Sequence, residues 1–149
     1  MPEPMHTQSL GYLTGLASRL FNRLLARRLR EAGIDMTAEQ WGVIQMLWGN
    51  GAMSQGQLGE ALFLEKSTIS RSVAGLEKRG WAEWQNSAED RRQKLVSLTP
   101  AAVSVAKQCN KIAKGVLKEA QRGMAEAALA HSQQQLADVI ANLRALNNS

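Results

Sequence analysis

The sequence predicts a mainly α-helical chain with one small β-hairpin. Three observations predict it: apolar residues recur at helical spacing along most of the 149 residues, capping patterns mark where helices begin, and strand-like residues flank a single polar tip. Hydrophobic residues make up 44% of the sequence, which is enough for one compact domain with a core of its own.

Charge and cysteine content limit the kinds of partner and compartment. The formal net charge is +5 and the sequence pI is about 9.8, which favours a polyanionic partner but is weak evidence alone. A single cysteine excludes an internal disulfide framework and suits a reducing cytosol. No apolar run approaches the roughly 20 residues that span a bilayer, and the first residues lack the features of a signal peptide. We therefore expect a cytoplasmic protein with no membrane partner.

The first part of the chain contains three predicted helices. Leucines at helical spacing, interleaved with arginines, predict the first helix from about Ser9 to Ala32, with Gly33 as its stop. The second begins at Thr37-Ala38-Glu39-Gln40, where the threonine and the glutamine satisfy free backbone donors reciprocally, and it ends at Asn50-Gly51. Ser54-Gln55-Gly56-Gln57 repeats that spacing and begins a short third helix.

A fourth predicted helix runs from about Leu64 to a stop at Gly80 and has two unlike faces. Its apolar residues form a narrow stripe at Ile69, Val73 and Leu76. Small residues, hydroxyls and two cations occupy the opposite side, which suits a helix whose backbone approaches a DNA groove closely. Taken alone, this pattern is better interpreted as an ordinary surface helix with a solvated polar face.

The hairpin that follows changes this interpretation. A short strand with Trp81 and Trp84 leads to a polar tip with Asp90-Arg91-Arg92, and Lys94–Leu98 predicts the returning strand. Trp81 is expected to pack under the hairpin and Trp84 to face the other side. A helix with a basic polar face followed by a hairpin with arginines at its tip is typical of a winged helix-turn-helix, a fold that binds DNA.

Two long helices close the chain. Thr99-Pro100 is the expected start of the first, with the threonine as N-cap, and its pattern continues to about Arg122. The second pattern spaces Leu129, Leu136 and Leu143 by sevens. Together with the leucines of the first helix, these residues predict a helical dimerisation interface, although such a stripe could equally pack within one chain.

Several short segments resemble, in order and approximate spacing, the signature segments of the MarR family of transcriptional regulators. They are Thr37–Trp41, Ser54-Gln55, Lys66–Arg71, Leu76-Glu77, Gly80, Asp90–Arg92 and Leu98-Thr99. The resemblance is strong over the middle of the chain and looser over the flanking helices. It implies a single domain over residues 1–149, in which residues 37–99 form the winged helix-turn-helix and residues 8–36 and 100–147 form the helical dimerisation part.

The resemblance also implies a homodimer on double-stranded DNA. Each recognition helix would enter a major groove and each wing the neighbouring minor groove, so the two-fold symmetry demands a roughly palindromic operator. By position, Ser67, Thr68, Ser70 and Arg71 match the groove-facing residues of the family. Lys78, which lies on the same polar face of the helix, is expected to supply a further donor to DNA.

The wing has its own expected contacts with DNA. The resemblance places Arg92 in the minor groove, with Arg91 and Lys94 on phosphates. Asp90 is expected to hold the Arg92 guanidinium in place by a charge-assisted hydrogen bond. The alternative for Asp90 and Arg92 is a local salt bridge of the turn that has no role in DNA binding.

Ligand sensing is a further implication of the resemblance. Members of the family often sense small aromatic or phenolic compounds, and Tyr12, Trp41 and Trp48 are the aromatic residues best placed near such a pocket. Aromatic residues at helical spacing are more often plain core. Some relatives sense oxidants through a reactive cysteine, but Cys109 lies on an apolar stripe, and an inert buried thiol is the stronger interpretation.

The sequence contains no pattern that predicts catalysis, a metal or a cofactor. It shows no nucleophile–base set, glycine-rich phosphate loop or paired carboxylates, and His6, His131 and Cys109 have unrelated spacing. The leading hypothesis is a repressor that a small aromatic ligand releases from DNA. One alternative is a constitutive or architectural DNA-binding protein that senses nothing. Another is a dimerisation protein whose winged helix has lost DNA binding, which the intact arginines of helix and wing argue against.

Overall fold

The order of helices and strands agrees with the predicted fold class. The structure, a computed structural model, describes residues 7–149 of the chain. Over these residues the elements are α1 Leu10–Glu31, α2 Ala38–Asn50, α3 Gln55–Leu62, α4 Lys66–Lys78, β1 Ala82–Asn86, β2 Lys94–Leu98, α5 Pro100–Ala120 and α6 Glu126–Asn147. The chain is therefore mainly α-helical, with a small two-stranded wing between α4 and α5.

The capping boxes predicted at the starts of α2 and α3 are confirmed. The Thr37 hydroxyl accepts a hydrogen bond from the Gln40 backbone N–H at 3.0 Å, and the Gln40 side chain accepts one from the Thr37 N–H at 3.1 Å. Ser54 and Gln57 form the same reciprocal pair at the start of α3. The predicted glycine stop after α4 is also confirmed, because Gly80 has a positive φ of 75°.

The connection between α3 and α4 contains a residue with a left-handed backbone that the sequence does not predict. Phe63, the C-cap of α3, has φ 52° and ψ 49°, and within residues 7–149 it is the one non-glycine residue with a positive φ. The N–H groups of Phe63 and Leu64 both donate to the Gly59 carbonyl, which closes the helix end. A residue with a Cβ adopts this conformation at a steric cost that glycine avoids.

The wing is a two-stranded hairpin that is also joined to the chain between α2 and α3. β1 and β2 pair antiparallel, with Ala82 opposite Leu98 and Trp84 opposite Val96. Met53 pairs with Val96 from the outside of this hairpin, with N–H to oxygen bonds of 3.0 and 2.7 Å. This bridge fixes the base of the wing, and sequence spacing gives no sign of it.

The two tryptophans of the wing correct one prediction. β1 begins at Ala82, so Trp81 precedes the strand, and Trp84 shares the face of Ala82. Both tryptophans are half-buried and pack against the hydrophobic core. The prediction that Trp84 faces the other side was wrong because it counted the alternation of the strand from Trp81.

The hydrophobic core lies among α1–α5 and the base of the wing. Its fully buried side chains include Leu29, Ile44, Leu58, Ile69, Leu76, Val43, Val73, Val96 and Val116. A fully buried side chain of this kind contributes about 1.5–3 kcal/mol by leaving water. The stripe predicted for α4 lies entirely within this core, so the opposite face of α4 is turned outward.

The chain forms two compact units that divide within α5. The first reaches Val116, and the second, Leu117–Ser149, contains the end of α5 and all of α6. None of the residues of α6 is buried, although the helix is 22 residues long. The large apolar side chains that α6 exposes are Leu136, Ile140, Leu143 and Leu146. Because an amphipathic helix gains most of its stability from packing its apolar face, α6 requires a partner surface.

Candidate nucleic-acid interface

The outer face of α4 is polar because the apolar stripe of the helix is buried. The predicted recognition residues that are exposed are Ser67, Arg71 and Lys78, whereas Thr68 and Ser70 are half-buried. The Ser70 hydroxyl donates to the Oε1 atom of Gln55 in α3 at 3.2 Å. The five residues therefore share one helix, but Ser70 is partly committed to holding α3 against α4.

A glycine allows α2 to approach α4 closely. A Cβ atom at Gly75 would overlap the Nε2 atom of Gln40. The Gln40 side chain also closes the capping box at the start of α2. Any larger residue at position 75 would therefore displace a side chain that the first turn of α2 uses.

An open polar cleft of about 310 Å³ lies between these two helices. Its lining residues are Thr37, Glu39, Gln40, Thr68, Arg71 and Ser72. The cleft places Thr68 and Arg71 beside the first turn of α2, so both helices contribute to one polar surface. Sequence reasoning did not identify Ser72, which is buried at the back of this surface.

The end of α4 is fixed to the wing and to α5. The N–H groups of Gly80 and Trp81 donate to carbonyls of the last helical turn, both at 2.9 Å. The Thr99 hydroxyl donates to the Gly80 carbonyl at 2.6 Å and accepts from the Ala102 N–H at 3.2 Å. Thr99 is therefore the predicted N-cap of α5, and it also links α5 to the end of the recognition helix.

Arg79 adds a second, weaker link at the same end of α4. Its guanidinium lies 3.3 Å from the Asp35 carboxylate and 5.0 Å from the centroid of the Trp81 ring. An exposed ion pair of this kind contributes less than about 1 kcal/mol. Arg79 is thus committed to local packing, and Lys78 is the exposed cation of the last helical turn.

The tip of the wing is ordered by bonds from side chains to the main chain. The Ser87 hydroxyl accepts from the N–H groups of Glu89 and Asp90 at 3.3 and 3.4 Å. The Ser87 N–H donates to the Gln93 carbonyl at 2.9 Å, and the Gln93 N–H donates to the Asp90 carbonyl at 3.0 Å. Sequence reasoning missed Ser87; a serine at the start of a polar turn is the signal that could have found it.

Asp90 holds the main chain of Arg92. Its Oδ1 atom accepts from the Arg92 backbone N–H at 2.9 Å. The contact differs from the expected bond to the guanidinium, because the short aspartate side chain reaches the amide two residues on and closes a local turn. Asp90 therefore fixes the position from which the exposed Arg92 side chain starts.

The surface of the tip is cationic. The exposed cations at or beside it are Arg91, Arg92 and Lys94. Glu89 and Asp90 are also exposed, so the cations exceed the acids by one. Guanidinium groups on a short ordered turn are suited to phosphates and to a narrow minor groove.

The predicted pocket aromatics lie in unlike surroundings. Trp41 is 5% exposed and belongs to the core, as the alternative interpretation has it, whereas Tyr12 and Trp48 are exposed. Cys109 is fully buried, and this burial raises the pKa of the thiol from 9.0 to about 11. A thiol with such a pKa stays neutral near pH 7, which makes Cys109 a poor sensor of oxidants.

Other kinds of site can be described for residues 7–149 of the chain. His131 is exposed, and His6 lies outside that part of the chain. Between residues 7 and 149, no group of three or more His, Cys, Asp or Glu side chains is arranged to hold a metal ion. No helix over the same range has the length and apolar character that crossing a membrane requires.

Relatives of known class share the sequence of the winged part. The family model described as MarR family matches residues 34–93. The uncharacterized HTH-type transcriptional regulator YwoH of Bacillus subtilis is 34% identical over 82 residues, which are 54% of this chain and 59% of YwoH. The chain thus matches less than two thirds of the length of that relative.

Solved structures of other proteins match nearly the whole chain. The transcriptional regulator PA3341 is 31% identical with a TM-score of 0.78, over 89% of this chain and 96% of that one. BpsR of Bordetella bronchiseptica, whose DNA binding is regulated by 6-hydroxynicotinic acid, is 20% identical with a TM-score of 0.80, over 93% and 97% of the two chains. At that identity, the likeness to BpsR shows the shared fold alone.

The helix with an exposed basic face, the hairpin with a cationic tip and the fold shared with transcriptional regulators define a winged helix-turn-helix transcriptional regulator. The chain belongs to the MarR family of these regulators.

Proposed function

We propose that the protein is a homodimer that binds double-stranded DNA at a roughly palindromic operator, and that it acts by binding rather than by catalysis. One observation carries this proposal: the outer face of α4 is exposed and basic, and a wing with cations at its tip follows it directly. In this fold the helix meets the major groove and the wing the neighbouring minor groove, so the two elements act on one DNA segment.

The contacts divide into those that read bases and those that bind the backbone. Arg71 is exposed on the outer face of α4, and a guanidinium there can form a bidentate pair with guanine. Ser67 and Thr68 offer hydroxyls nearer the start of the helix. The proposed phosphate contacts are Lys78, Arg91 and Lys94. Arg92 is proposed to enter the minor groove, where a narrow A·T-rich segment concentrates negative potential.

The uncovered apolar stripes of α1 and of α6 support the homodimer. The apolar side chains that α1 exposes are Leu10, Tyr12, Leu13 and Leu20. Stripes of this kind, on α1 and on α6, mark contact surfaces, because a monomer in water rarely leaves them open. A second copy of the chain would cover them and would place two winged helices on the two halves of a palindrome.

Arg71→Ala is expected to reduce discrimination between operator and random duplex by about 1–3 kcal/mol, because it removes a base contact. The operator is a duplex that the wild-type protein enriches from a random pool, and both affinities are measured by fluorescence anisotropy at one salt concentration. Lys111→Ala is the matched control, since it removes the same charge from an exposed position of α5 outside the winged helix.

Three results of this experiment have separate meanings. Equal losses on both duplexes would make Arg71 a phosphate contact. A loss as large for Lys111→Ala would make the effect one of net charge. Failure of the wild-type protein to bind any duplex with affinity that falls as salt rises would contradict the proposed function itself.

We further propose that the protein is a cytoplasmic repressor that a small aromatic ligand releases from its operator. BpsR supports this, because the ligand that regulates its DNA binding is an aromatic acid. The exposed Tyr12 and Trp48 side chains are available to contact such a ligand. The buried Trp41 could respond to a ligand only through a change in the packing of the hydrophobic core. The burial of Trp41 favours the second candidate, a constitutive or architectural protein that binds DNA and senses nothing.

A panel of hydroxylated benzoic and pyridine carboxylic acids separates these two candidates. A sensed ligand at 100 times its dissociation constant is expected to stabilise the protein by about 2.7 kcal/mol, measured by thermal shift. It should also weaken operator binding without dissociating the dimer, and the operator should weaken ligand binding by the same factor. A panel that changes neither the melting temperature nor DNA binding would favour the constitutive candidate.

A further inference from the structure

Phe63 combines two features that folding alone does not require. Its backbone is left-handed, at φ 52° and ψ 49°, although the residue has a Cβ. Its side chain is 67% exposed and is not part of the hydrophobic core. Glycine would adopt the same backbone at less cost and would expose no ring to water. A strained residue with an exposed ring is a reason to look for a contact that the isolated chain does not make.

The place of Phe63 in the fold identifies the partner. It lies in the turn between α3 and α4, three residues before Lys66, the first residue of the recognition helix. Three residues of chain span at most about 11 Å, so the ring stays close to the start of that helix. In a helix-turn-helix the start of the recognition helix meets the base edges, and the preceding helix crosses the DNA backbone. If DNA meets the outer face of α4 as proposed, the turn between these two helices would therefore lie beside the duplex.

The charges of this turn favour an apolar contact. Glu65, the one charged residue of the turn, is exposed, and the exposed Lys66 at the start of α4 offsets its charge, so the segment as a whole offers DNA no net charge. Glu65 is the N-cap of α4 but makes no side-chain cap hydrogen bond. What the turn does offer is the Phe63 ring, and phenylalanine is one of the side chains that contact the methyl group of thymine in the major groove.

We propose that Phe63 is an operator-contacting residue, whose ring makes an apolar contact with the duplex beside the start of the recognition helix. This inference rests on the proposed function, since it needs DNA on the outer face of α4. The contact adds affinity without counterion release, unlike the contacts of Arg71 and of the wing.

The test compares Phe63→Gly and Phe63→Asn with the wild-type protein on the operator enriched from a random pool. Glycine and asparagine both accept the left-handed backbone, so both variants should keep or raise the melting temperature. Both should bind the operator about tenfold more weakly in anisotropy titrations. Phe63→Tyr keeps the ring and should stay within about threefold of wild type.

Salt dependence separates an apolar contact from an electrostatic one. The plot of log affinity against log salt should keep its slope in Phe63→Gly, whereas Lys66→Ala should lower the slope by about one unit if Lys66 binds a phosphate. An operator with uracil in place of thymine tests the methyl group: wild type should lose affinity on it, and Phe63→Gly should lose less. The wild type could instead bind the uracil operator as tightly as the thymine operator while Phe63→Gly still binds about tenfold more weakly. The ring would then contact deoxyribose, and the proposal would stand.

Other outcomes would overturn the proposal. If Phe63→Gly and Phe63→Asn bind the operator as tightly as wild type while wild type binds normally, Phe63 makes no contact with DNA and the proposed function stands. If either variant loses the dimer in sedimentation, the ring contacts a second copy instead. If wild type enriches no duplex, the proposed function has failed.

Discussion

Leu136→Asp combined with Leu143→Asp is expected to convert the dimer to a monomer that no longer binds its operator. The two leucines are 37% and 52% exposed on α6, and no residue of that helix is buried. Full burial of an exposed leucine contributes about 1.5–3 kcal/mol, and in a dimer each of these partly exposed leucines would contribute a fraction of that, twice over because of the symmetry. Aspartate would replace this gain with an unpaired charge in an apolar interface. Sedimentation velocity gives the oligomeric state, and anisotropy gives the affinity.

Ala141→Asp combined with Ala145→Asp is the matched control. Both alanines are exposed and lie on the side of α6 opposite the two leucines, so this variant adds the same charge to the same helix. It should remain a dimer and should bind DNA. If the leucine variant sediments as a dimer, the interface is elsewhere; if the control also dissociates, the charge has weakened the helix rather than the contact.

Arg92→Ala is expected to weaken operator binding by about 1–3 kcal/mol, and Asp90→Ala should weaken it too. Arg92 would lose its minor-groove contact directly. Asp90→Ala would remove the bond to the Arg92 backbone N–H and so free the tip, and the arginine would then lose more conformational entropy on docking. The double variant should be no weaker than about the worse single variant, because both changes disable one contact. Affinities come from anisotropy, and fold and dimer are checked by thermal shift and sedimentation.

Glu89→Ala separates the effect of a less ordered wing tip from the effect of removing a negative charge near the phosphates. It removes one exposed negative charge from the same turn, as Asp90→Ala does, but the Glu89 contact to the turn is made by its backbone N–H. A purely electrostatic view predicts tighter binding for both variants, since each removes repulsion from phosphates. We expect tighter or unchanged binding for Glu89→Ala and weaker binding for Asp90→Ala. Tighter binding by both would exclude a role of Asp90 in ordering the wing.

Local chemistry made much of the winged helix predictable. A capping box is a bond between residues three apart, so Thr37 and Gln40 identify the start of α2 without knowledge of the rest of the chain. The apolar stripe of α4 predicts which face is buried for the same reason, because helical spacing alone sets it. These two kinds of signal placed the recognition helix and its outward face correctly.

Contacts between distant or irregular segments were not predictable. The Met53 bridge to Val96 joins residues far apart in sequence, and no short pattern marks it. Phe63 has a left-handed backbone at a helix end where glycine is the usual residue. At the wing tip, Asp90 and Arg92 were identified, but the bond goes to the main chain, because loop geometry decides which donor a short carboxylate reaches.

The close approach of Gly75 to Gln40 limits how the DNA specificity of this protein could be re-engineered. A combinatorial library over the outer face of α4 would naturally include position 75, which is only half-buried. Side chains introduced there would displace the Gln40 amide, whose Oε1 atom accepts the bond from the Thr37 N–H in the capping box of α2. Such a library should hold position 75 as glycine or vary it jointly with position 40. Selection would then act on DNA recognition and not on restoring the capping box at the start of α2.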